Sequence, residues 1–175
     1  MTTTPLITLE DIRAMKTIAL NIQQAKELTP YIIEAQNFDL GKLLGDAFYL
    51  ALINDFTASP SLSTYSDLFN GGSYVHDSET YYNYGIKNLI VHYAYTRYVA
   101  NSNVIATPTG FVHKTNPHSE NVTDKTVARL TDNARSSALF VEDSVRNYLD
   151  RKEVDYPLWK RACKNRMNRT KIRQV

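Results

Sequence analysis

The side chains best suited to metal binding or proton transfer in this 175-residue chain are four histidines, His76, His92, His113 and His118. No two of them stand in an HxxxH or HxH arrangement that would aim both at one ion. His113 and His118 flank Asn116-Pro117 and could meet across a loop, but nothing nearby supplies a third ligand. The single cysteine, Cys163, excludes an intrachain disulfide and a cysteine-based zinc site, and fits a reducing compartment. Nucleophilic chemistry has no signature either: there is no GxSxG and no glycine loop to cradle phosphate. Gly71-Gly72 follows an asparagine and reads as a turn, and the acids are scattered singly rather than clustered for magnesium. These residues predict a non-enzyme with no cofactor and no metal.

Two other groups of residues carry physical chemistry of a different kind. Residues 157–175 hold Lys160, Arg161, Lys164, Arg166, Arg169, Lys171 and Arg173 with no acid, so of a net charge of +2 the segment carries +7, leaving −5 on residues 1–156. Such a block is a solvated tail, a contact to nucleic acid phosphate or an arm for an acidic protein groove. No helix-turn-helix, zinc finger or aromatic-basic platform accompanies it. The second group is tyrosine, twelve residues in all, with Tyr81, Tyr82, Tyr84, Tyr93, Tyr95 and Tyr98 crowded together. Tyrosine suits a core whose hydroxyls reach the rim, and equally an interface.

The elements that must position these residues are mostly helical. Thr8 reads as an N-cap for a helix from Leu9 to about Gln24, and residues 1–7 have nothing to hold them. Thr29-Pro30 starts a second helix that runs to Leu44, breaks near Gly45-Asp46, where Asp46 could cap, and resumes to about Asp55. After a Ser/Thr/Pro loop and one helical turn at Tyr65–Phe69 comes the central stretch, Glu79–Ala100, read as one helix capped around Ser78. Ile86, Leu89, Ile90 and Tyr93 form one apolar face of it and Val91, Tyr95, Tyr98 and Val99 a second, so something must cover both. Residues 104–118 read as a small β-hairpin or extended loop, with Thr107-Pro108-Thr109-Gly110 as its turn. Thr123 then caps a long helix with a single stripe, Val127, Leu130, Ala134, Ala138, Val141, Val145 and Tyr148, and Asp155-Tyr156-Pro157 opens a last one bearing Trp159. The fold predicted is mainly α: a bundle of about five helices over residues 8–159, a protruding loop at 104–118 and a basic C-terminal arm at 160–175. The N-terminus lacks a basic-then-apolar leader, and the longest apolar run is too interrupted to span a bilayer, which predicts no membrane partner.

In order and phrase these segments resemble the small helical head-to-tail connector (adaptor, or head completion) proteins of tailed bacteriophages, particularly those of crAss-like phages. The resemblance lies in Pro30-Tyr31-Ile32 through Leu44-Gly45-Asp46-Ala47-Phe48-Tyr49, in Leu68-Phe69-Asn70-Gly71-Gly72-Ser73-Tyr74, and in Gly85-Ile86-Lys87 through Tyr98. It continues in the Thr107–Gly110 turn and in Tyr156-Pro157-Leu158-Trp159. It implies a virion protein, assembled in the host cytoplasm, that forms a dodecameric ring beneath the portal, extends the channel for genomic DNA and offers a platform to tail or further ring proteins. On that reading Val91, Tyr95, Tyr98, Val104, Ile105, Phe111 and Val112 are the expected subunit interface. Trp159 with Lys160, Arg161, Lys164, Arg166, Arg169, Lys171 and Arg173 would meet the acidic portal or, less favoured, DNA. A DNA-binding accessory protein using the basic arm is the alternative.

Overall fold

The computed structural model describes residues 4–18, 28–58, 62, 64–108, 110–113 and 122–159, together with the side chains of all of these except 105, 106, 111 and 113. Thr8 caps α1 (Leu9–Arg13) in a reciprocal capping box with Asp11. The expected helix to about Gln24 is corrected: α1 ends at Arg13 with Ala14 as its C-cap, and residues 14–18 are turn and irregular backbone, while residues 19–24 lie outside the described residues. Pro30 sits in the first turn of α2 (Thr29–Glu34), which passes through a π-helical segment (Ala35–Leu40) into α3 (Gly41–Leu44). The expected break falls at Gly45, whose φ of 78° suits glycine alone; Asp46 therefore does not cap but opens α4 (Asp46–Thr57). A short α5 (Ser66–Asn70) ends at Gly71.

The central stretch differs from expectation. Residues 79–83 are not helical but form β2 (Glu79–Asn83), paired antiparallel with β1 (Gly72–His76) in a register that sets His76 opposite Glu79. The two residues between them, Asp77 and Ser78, both have positive φ, as a tight hairpin loop demands. Helix α6 (Gly85–Ala100) starts only after the hairpin. It leads into a second hairpin, β3 (Val104–Thr107) with β4 (Gly110–His113), at the predicted place. Thr123 caps α7 (Asp124–Arg151), 28 residues or roughly 40 Å at 1.5 Å per residue. One helical turn at residues 157–159 closes the described chain. Among the described residues the protein is mainly α with two small hairpins.

Helix α6 is the axis of the core, and its own chain covers it on both sides. Its Ile86, Leu89, Ile90, Val91, Ala94 and Val99 are buried, with α7 against one flank and α2, the π segment, α5 and α1 against the others. An all-round apolar helix needs two covers, and both are intramolecular here. Val91 is 0% exposed, so its expected role in a subunit interface is corrected: it is core. On α7 the stripe holds except at Leu130, which is exposed.

The N-terminal residues are also tied down from position 4, contrary to the expected fraying. Leu6 and Ile7 are buried, and the buried Gln36 side chain accepts from the Leu6 N–H at 3.0 Å while donating to the Thr4 carbonyl at 2.8 Å. A buried amide that satisfies two backbone groups of a distant segment fixes that segment's path.

Candidate functional site

Three surface features are built on this frame. The first is an aromatic ledge where β2 meets α6 and α7. Phe140 projects from α7 and is 62% exposed, Tyr82 is 61% exposed, and Tyr84 lies between them with ring centroids 5.5 Å from Phe140 and 5.2 Å from Tyr82. Ser144 holds the strand end in place: its hydroxyl donates to the Tyr82 carbonyl at 3.3 Å and accepts from the Tyr84 N–H at 3.4 Å. Further along the same face of α7, Arg151 lies over the Tyr81 ring, 3.7 Å from its centroid, and donates to the Tyr74 hydroxyl at 2.8 Å. Three neighbouring exposed aromatic rings are the composition of a contact surface rather than of an ordinary wet face.

Beside the ledge runs a groove of about 450 Å³ lined by Tyr84, Asn88, His92, Ser136, Ser137, Phe140 and Val141. Burial, with Lys16 adding repulsion, holds the His92 imidazole down at about 4. An unfolded histidine titrates near 6.5, so between those values the unfolded chain takes up a proton that the folded chain refuses. The stability contributed by neutral His92 is therefore whole above about pH 6.5 and is lost as the pH falls toward 4. Asp39, which burial raises, acts with the opposite sign. The urea midpoint of a His92→Gln variant should fall less between pH 7 and pH 5 than that of the parent; equal falls would assign the acid sensitivity elsewhere.

The second feature is the β3–β4 hairpin. Its strands pair only with each other among the described residues, and Val104 and Val112 are 37% and 45% exposed. The Asn103 side chain ties its base to the Val122 carbonyl at 2.9 Å. The third is a charged cleft of about 420 Å³ between the π segment, α6 and α7. There Arg97 reaches Asp39 at 3.0 Å and Glu34 at 3.4 Å, while Glu142 takes both the Tyr93 hydroxyl and the Arg146 guanidinium. A carboxyl with a raised pKa in a cleft is a pattern shared with general acids. Asp39 and Glu142 each already face a cation, however, so the cleft reads as a lock joining three elements. Among the described residues no group of three or more His, Cys, Asp or Glu is placed to hold a metal ion, and no helix is long and apolar enough to cross a membrane.

The expected site residues are scattered rather than gathered. Tyr98 is half-buried and packs edge-on against Tyr31 at 6.4 Å; Tyr95 is half-buried with Lys16 over its ring at 5.3 Å. Val104 and Val112 are on the hairpin and exposed, as an interface requires, whereas the side chains of Ile105 and Phe111 lie outside the described residues. So do Lys160, Arg161, Lys164, Arg166, Arg169, Lys171 and Arg173. Trp159 is corrected: it is 2% exposed and its indole N–H donates to Asp150 Oδ1 at 2.6 Å, so it anchors to its own body and offers no surface to a partner. The ledge was missed. Its signal in the sequence was Leu139-Phe140, an apolar pair standing off the stripe of an otherwise polar-backed helix.

A model of one protein family, described as a family of unknown function (DUF6712), matches residues 40–169. The match begins at the end of the π segment and takes in the ledge, both hairpins and part of the basic segment. No curated protein and no solved structure matches the chain.

Proposed function

We propose a structural role for this chain, which belongs to the DUF6712 family of unknown function: it is the subunit of a head-to-tail connector ring in a phage virion. In that role about a dozen copies, the number carried by the resemblance, close into a ring beneath the portal, line the passage for genomic DNA and present a platform to tail or further ring proteins. The single observation that carries the reading is the β3–β4 hairpin. A two-stranded ribbon is marginal in water by itself, and these strands, which pair with each other among the described residues and expose Val104 and Val112, suit a neighbour. In a closed ring of heterologous contacts every subunit supplies one such hairpin and receives one. The aromatic ledge supports the same reading, as does the ordered resemblance to connector proteins. The role is non-enzymatic and needs no cofactor. The +7 of residues 157–175 favours, as a second reading, an accessory protein that binds DNA.

Native mass spectrometry and electron microscopy of the full chain, alone and mixed with portal rings, test the proposal. Closed rings with an open centre are expected in at least one of the two samples. Val112→Asp should retain the helical circular-dichroism signal and abolish them. A chain that stays monomeric in both samples, yet binds duplex DNA with steep salt dependence, would replace the connector reading with the accessory one.

A further inference from the structure

We infer that the aromatic ledge is the docking site of the chain's own basic segment, residues 160–175. The first ground is where that segment begins. Trp159 is buried against Asp150 in the last turn of α7, while the ledge runs along the same helix from Phe140 through Asp143 to Arg151. From residue 150 back to Phe140 is about 15 Å along the axis. Sixteen residues can extend to about 50 Å, so the segment starts at one end of the ledge and is long enough to lie along all of it. A tether this short keeps the segment at an effective concentration in the millimolar range at the ledge, well above that of any free partner at working dilution.

The second ground is charge. The segment carries seven cations and no acid, against −5 on the rest of the chain. Asp143 stands exposed on the ledge and forms no ion pair among the described residues. The third is that the surface already holds one guanidinium in the proposed manner, Arg151 over the Tyr81 ring with a hydrogen bond to Tyr74. Tyr82, Tyr84 and Phe140 offer further ring faces to the cations that follow Trp159, and arginine over an aromatic face is favourable even where partly wet. The segment thus covers the exposed apolar faces of the free chain, and any partner that uses the ledge must displace it. This contact does not depend on the connector reading.

The test uses the full chain as a C163S/R169C variant, isotope-labelled and carrying a nitroxide at position 169. Amide signals of Tyr82, Tyr84, Asp143 and Ser144 should lose intensity several-fold relative to the reduced, diamagnetic sample. About 0.5 M salt should restore most of it, because screening at that strength acts within a few ångströms. Adding Asp143→Lys or Phe140→Ala, both at exposed positions, should restore it at low salt while leaving the remaining amide shifts in place. Unchanged intensities at the ledge, or broadening that survives both variants, would overturn the inference. So would broadening seen only when the nitroxide is on unlabelled chains mixed with isotope-labelled ones, since the occupant would then be a second copy. Ring formation is read separately by mass, so a failure here leaves the connector reading standing.

Discussion

Replacing Gly85 by alanine should destabilise the protein by on the order of 3–5 kcal/mol, a large share of the roughly 5–15 kcal/mol that holds an ordinary domain folded. Gly85 has a φ of +81°, and a Cβ there would stand 2.7 Å from Asn70 C, from Gly71 N and from Phe69 O, all of them backbone. The facing Gly71, at φ +78°, is equally tight: its Cβ would lie 2.4 Å from the Asn83 carbonyl oxygen. Backbone atoms of the α5 end cannot yield as a flexible side chain would, so the left-handed strain and the overlap add. Asn83 completes the crossing, its buried amide accepting from the Gly85 N–H at 3.0 Å and donating to the Asp67 carbonyl at 3.3 Å. Gly72→Ala is the control, because a Cβ there meets nothing within 4 Å and only the backbone conformation opposes it. Denaturant unfolding should separate the two variants by at least about 2 kcal/mol; a smaller gap would mean that the crossing relaxes cheaply.

Trp159→Ala should cost about 3–5 kcal/mol of fold stability, the range for truncating a fully packed large aromatic. The indole is part of the same buried cluster as Phe48, Leu149 and Tyr156, and the carboxylate of Asp150 loses its 2.6 Å donor when the ring goes. Asp150→Asn, which keeps an acceptor oxygen, should cost no more than about 1–2 kcal/mol. A tryptophan that served as a partner's hot spot would behave differently, weakening association and leaving the melting temperature alone. Thermal unfolding of the two variants separates these roles, and an unchanged midpoint for Trp159→Ala would return the residue to the partner surface.

The helices were legible because their signals are local. Thr8 and Thr123 are caps in the structure as read, Pro30 stands in the first turn of α2, and Gly45 breaks the chain where glycine in a helical pattern makes a break cheap. Glu79–Asn83 was misread because a run of tyrosines is apolar in every register, so helical spacing could be found in it by chance. What decided it as a strand was the pairing with residues 72–76 through a two-residue turn at Asp77-Ser78, and tyrosine's preference for strands agrees. Whether another subunit covers the second face of α6 was not legible, since apolarity all round says that two covers exist and not whose they are. Trp159 posed the same ambiguity: a tryptophan near a charged terminus reads alike as an external anchor or an internal one. Phe140 could not be placed until β2 had brought Tyr82 and Tyr84 beside it.

The contact between Gly71 and Gly85 has a consequence for how this chain can change length. Entry to and exit from the first hairpin meet backbone to backbone, so residues 72–84 form an excursion whose ends are already closed by the bundle. Doubling the length of a closed loop costs only about 0.6 kcal/mol of chain entropy. The tip at Asp77-Ser78 is therefore a permissive point, at which an epitope or a whole foreign peptide can be inserted while the helices beneath keep their register.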